Sequence, residues 1–135
     1  CAYFTDTVTS IIRRQALDPD TGWPAGAAED WIDLRDEGLN PDGSVCDAEG
    51  NLWNAQWGAG RVACYAPDAR FKRAVSVPAP HTSCPAFGGP DYATLFCTTA
   101  AEGIAPGRLE REPDHGRTFH ARTDARGLPE YQVIP

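Results

Sequence analysis

Residues Asn40 to Trp57 read NPDGSVCDAEGNLWNAQW, with three acidic side chains, two Gly and two Trp in eighteen positions. The acids suggest a calcium loop, but the spacing rejects it. Counted from Asp42, position six is Asp47 where an EF-hand needs Gly, and position twelve is Trp53 where it needs Glu. Any cation at Asp42 must therefore draw its other ligands from distant parts of the fold. What the stretch does encode is turn, strand, turn, strand: NPDG and AEGN are turn formers, and LWNAQW is a β run.

Similar punctuation recurs along the chain, at LDPDTG (17–22), GAG (58–60), APDA (66–69), FGGPD (87–91) and TDARG (123–127). Helix signals are nearly absent, so the expected class is all-β. Tyr3-Phe4-Thr5, Leu52-Trp53-Asn54 and Leu95-Phe96-Cys97 superpose at offsets of 49 and 43. Each is followed by a loop and a second strand, at Ile11 to Leu17, Arg61 to Tyr65 and Thr118 to Ala121. Periods of about 40–50 residues holding several strands mark propeller blades. The expected blades are 2–34, 41–77 and 82–134, with a last strand near Tyr131 to Ile134. That is about three blades of a ring that usually has roughly four to eight. Trp53 and Phe96, matched in the repeat, are expected in the core.

A four-stranded meander also sorts its loops between two rims. Asp42 opens an innermost strand and shares its rim with Asp6-Thr7, Gln56 to Gly60, His81-Thr82-Ser83 and the loop Ala100 to Arg117. Asp47 and Glu49 fall on the opposite rim. With Asp18, Asp20 and Asp68, they are read as hairpin caps facing water.

The bulk composition narrows the class. A chain of 135 residues with 41% apolar residues suffices for one domain's core. The net charge of −7 argues against nucleic acid, whose binders concentrate Lys and Arg. No apolar run is long enough for a membrane span. The five cysteines, Cys1, Cys46, Cys64, Cys84 and Cys97, form no CxxC and no zinc-finger spacing. They read as reduced and mostly buried, and with no visible export leader the expected location is cytoplasmic. The chain lacks Met throughout and opens on a strand-like CAYFTDT, so it is expected to be a piece of a longer protein.

The string P-D-G-x-x-x-D-x-E-G-x-L-W from Pro41 to Trp53, followed by SCPAFGG at 83–89, resembles the senescence marker protein (regucalcin)/gluconolactonase family, in its C-terminal half. The resemblance runs from about Tyr3 to the end of the chain. It implies a six-bladed β-propeller that hydrolyses sugar lactones with one divalent cation, whether calcium, zinc, magnesium or manganese. It further implies that Asp42 is a metal ligand and activates the attacking water. The remaining ligands and the substrate-holding residues would lie in the N-terminal half, absent from this chain, so the isolated chain is expected to be inactive.

Lactone hydrolysis suits those groups. A divalent ion polarises the carbonyl and stabilises the oxyanion, and a carboxylate beside it takes a proton from water. Read by itself, without the resemblance, Asp42 is a turn former in N-P-D-G. His81, Thr82, Ser83 and Trp57 are candidates for a pocket rim, with scaffold roles as the alternative. His115 and His120 are five apart and face opposite ways, which argues against a shared metal, and RLEREPDHGR (108–117) reads as a solvated cover loop. The expected partners are a sugar lactone and either the missing half or a second copy of the chain. A calcium-responsive propeller that binds without turnover is the alternative function.

Overall fold

The computed structural model describes residues 1–130. Ten strands lie among them, in three antiparallel sheets ordered as simple meanders. β1 (Ala2–Asp6), β2 (Ile11–Gln15) and β3 (Glu29–Asp33) make the first sheet. β4 (Asn40–Cys46), β5 (Leu52–Trp57), β6 (Arg61–Tyr65) and β7 (Phe71–Ser76) make the second. β8 (Thr82–Gly88), β9 (Thr94–Thr99) and β10 (Thr118–Arg122) make the third. This is an all-β portion of a propeller. The strand expected near Tyr131 to Ile134 lies outside the described residues.

The turns end the strands where the sequence places its special residues. Between β4 and β5 the chain reverses at Gly50, with φ of 81°, a conformation that only Gly takes without strain. The Gly50 amide donates to the Asp47 carbonyl at 3.0 Å and closes the turn.

Period-two alternation then sends neighbours on β5 to opposite faces. Leu52 packs with Ala63, Tyr65, Ile12, Ile32 and Leu34 between the first and second sheets. Trp53 and Ala55 pack with Val62, Cys64, Leu95 and Cys97 between the second and third. The middle sheet is thus buried on both faces, and each large apolar side chain fully buried there contributes about 1.5–3 kcal/mol. Trp53 is 0% exposed and meets Phe87 edge-on at 5.5 Å.

The structure corrects three readings. Phe96 was expected in the core but is 36% exposed, because it faces away from the middle sheet while Leu95 and Cys97 face toward it. Among the described residues no further blade covers that face. In the first repeat, Tyr3 packs into the cluster beside Leu52, while Phe4 is 47% exposed. The first triplet is therefore aligned one residue out, and a one-residue slip flips every side chain to the other face. Asp47 does not face water either. It is 2% exposed, and its carboxylate accepts from the amides of Glu49 and Asn51, the Asn51 side chain and the Trp53 indole.

The turn reading fits Asp18, whose Oδ1 accepts from the amides of Asp20 and Thr21 and from the Thr21 hydroxyl. The long loop after β9 carries a short helix, α1 (Pro106–Arg111), that the sequence did not announce. Among the described residues no helix is long and apolar enough to cross a membrane.

Candidate functional site

Asp42 owes its position to a break in the β4–β5 ladder. Pro41 pairs with Gln56 and Ser44 with Asn54, so Asp42 and Gly43 together oppose Ala55. Such a bulge re-aims a side chain that regular pleating would fix. It is clamped from the next strand. Asn54, wholly buried, donates from Nδ2 to the Asp42 carbonyl at 2.8 Å and to Ser44 Oγ at 3.0 Å.

Gly43 supplies the close approach that the bulge needs. A Cβ there would sit 2.6 Å from the Ser83 carbonyl oxygen and 2.9 Å from the Cys84 Cα. Only Gly lets β4 and β8 lie this near each other. Asp42 in turn lines a cavity of about 270 Å³ shared with Tyr3 to Thr5, Thr7, Gly43 and Ser44. Thr7 belongs to the 3₁₀ turn after β1, so that turn and Asp42 line one cavity, while Asp6 is not among its lining residues. Burial raises the Asp42 carboxyl above the usual carboxylate range, and a hydrogen bond from the Gly43 amide partly offsets it.

The other candidates divide. Ser83 touches this region through its carbonyl at Gly43, and its hydroxyl shares a 2.8 Å hydrogen bond with Thr98. Thr82 is not at a rim: it is 0% exposed, and its hydroxyl donates to the carbonyls of Gln56 and Arg61. It ties the third sheet to the second and has nothing left for a ligand. Trp57 and His81 stack on each other, centroids 4.4 Å apart and planes 14° from parallel, with the His115 ring 6.3 Å from His81. That cluster includes His115 from the loop carrying α1 and is not part of the Asp42 cavity. His115 is buried and bonds Glu112, whereas His120 is exposed on β10.

Among the described residues no three His, Cys, Asp or Glu side chains converge as a metal centre. The sequence reading missed Asn54. Its signal was a polar residue in the middle of LWNAQW, where both faces are buried.

A protein-family model, the SMP-30/gluconolactonase/LRE-like region, matches residues 1–101. The chain belongs to this family. L-arabinolactonase of Azospirillum brasilense is 35% identical over 127 residues, covering 93% of this chain and 41% of that protein. Regucalcin of Danio rerio is 31% identical over 131 residues, covering 96% and 44%. Among solved structures, a calcium-binding regucalcin from Agrobacterium tumefaciens strain C58 superposes with a TM-score of 0.90 at 41% identity. That match covers 97% of this chain and 45% of the other. The chain thus spans a little under half the length of the family members it matches. Ten strands over that share of the length agree with a ring of about six four-stranded blades.

Proposed function

We propose that the full protein to which this chain belongs hydrolyses sugar lactones, with Asp42 as a ligand of one divalent cation and as the base that takes a proton from the attacking water. The observation that carries this reading is the bulge at Asp42-Gly43, which delivers one partly buried carboxylate to a cavity in a member of a lactonase family.

The residues present fit a cation in part. A carboxylate beside an open cavity suits a hard divalent ion, but such ions take about six or more oxygens, and among the described residues Asp42 is the one carboxylate that lines this cavity. The remaining ligands are assigned to the part of the protein outside this chain, so the isolated chain is inactive. When bound, the cation supplies polarisation of the lactone carbonyl. The chain's own contribution is positional. Asn54 holds the Asp42 backbone, Gly43 admits the neighbouring inner strand, and the Asp42 carboxylate is the group that takes the proton of the attacking water. Name by name, the relatives favour sugar lactones as the substrate class. The free thiols suit a reducing compartment, and the cytoplasm is the proposed location.

The test is acid release from glucono- and galactono-lactones by the full-length protein, followed with a pH indicator, with and without chelator. Chelator-sensitive hydrolysis is the expected result. Cation binding without turnover on any lactone would favour a binding module, the role suggested by the calcium-binding neighbour.

A further inference from the structure

A second cavity lies between the first two sheets, away from the Asp42 cavity, and the two share no lining residue. It measures about 550 Å³, within the roughly 300–1,000 Å³ of small-molecule sites. All of its walls come from this chain: the end of β3 and the loop after it, β6, and the start of β7.

Its chemistry is mixed in an informative way. Arg61 makes no ion pair among the described residues. Its guanidinium is held in place by Nε donating to Gln56 Oε1 at 2.5 Å and by lying over the Phe71 ring at 5.8 Å. Neither Nη has a protein acceptor among the described residues, so the guanidinium fork is free to take a carboxylate. Gln56, wholly buried, also donates to the Tyr65 hydroxyl at 2.9 Å. That hydroxyl is thereby orientated as an acceptor while its own proton has no acceptor among the described residues. Trp31 and Phe71 add aromatic faces, and two carboxylates also line the cavity: Asp33, whose charge is met by its ion pair with Arg35, and the exposed Glu37, which accepts hydroxyl protons.

A fork for one carboxylate, an O–H donor beside it, aromatic faces for C–H surfaces and an acceptor for hydroxyls describe one ligand class. We infer that this interblade cavity binds a sugar acid, its carboxylate on Arg61 and its polyol chain along Tyr65, Phe71 and Glu37. The site stands on these walls alone and does not depend on the reading of Asp42.

The test is calorimetric titration of the chelator-treated full-length protein with gluconate, with glucitol and acetate as the two halves of its chemistry. Gluconate should bind at one site, with glucitol and acetate each at least about tenfold weaker. Arg61→Gln should weaken gluconate by about tenfold or more, and Asp42→Ala should leave it unchanged. Phe71 is half exposed, so Phe71→Ala provides a folded variant with the same expected direction if Arg61→Gln does not fold. Binding lost in Asp42→Ala but kept in Arg61→Gln and Phe71→Ala would place the ligand in the other cavity and overturn the assignment. So would glucitol binding as well as gluconate, or no heat from gluconate up to about 10 mM.

Discussion

The Trp53 indole donates a 2.9 Å hydrogen bond to Asp47 Oδ2, and both residues are buried. A turn carboxylate on one rim is thus locked to the central core aromatic of the middle blade. Asp47→Ala would strip the acceptor from that indole and from the Asn51 side chain, leaving buried donors unsatisfied at a cost of about 1–3 kcal/mol each. The expected loss in denaturant unfolding of the full-length protein is about 3 kcal/mol. A loss under about 0.5 kcal/mol would mean that the turn faces water after all.

Trp53→Ala removes the packing itself, against Phe87 and across to the third sheet. Truncating such a core aromatic costs about 3–5 kcal/mol. A measured change below about 1 kcal/mol would show that the β5 register is misassigned.

Gly43→Ala tests the close approach of β4 to β8. With the Ser83 carbonyl only 2.6 Å from the new Cβ, one of the strands must shift, typically at about 1–3 kcal/mol. Because Asp42 is next in sequence, divalent-cation affinity should fall along with stability. Unchanged stability and unchanged cation binding together would contradict the packing described.

Burial raises the thiols of Cys46 and Cys64 and takes Cys97 up to about 11. A buried, protonated thiol is a poor nucleophile. At about pH 8, iodoacetamide should leave Cys64 and Cys97 unmodified in the native full-length protein and modify both in denaturant. Native labelling at the denatured rate would refute the burial.

The acid limb has a definite sign. Hydrogen bonding and charge from Arg35 lower Asp33 from 3.8 to about 2, and Arg122 and Arg73 hold Asp91 and Asp124 down likewise. Each folded value lies below the unfolded one, so the stabilisation is fully present above about pH 4 and is lost as pH falls through the folded values. All three pairs are exposed, so salt should weaken the effect. NMR titration of Asp33 should give a midpoint near 2, and a midpoint at 3.8 would remove the Arg35 contact.

Strand limits were legible because local chemistry writes them: alternation in LWNAQW, and Gly or Asp at most reversals. The Pro41-Asp42-Gly43 string read as a turn, whereas the structure carries it inside β4 as a bulge, which only the β4–β5 register reveals. Other features depend on what lies across space. The exposure of Phe96 turns on whether another blade covers it, and its own strand does not encode that. Asp47 looks like any turn carboxylate until Trp53 folds over it. Nor did the string reveal that Asn54 clamps Asp42, since that contact needs the β4–β5 register first.

The most direct measurement is lactone hydrolysis by the full-length protein carrying Asp42→Ala, beside its melting temperature and calorimetric cation binding. The expected result is loss of chelator-sensitive hydrolysis and of tight cation binding, with the melting temperature nearly unchanged, because the carboxylate serves the cavity and not the core. A folded variant that keeps about a tenth or more of the wild-type kcat would contradict the role given to Asp42.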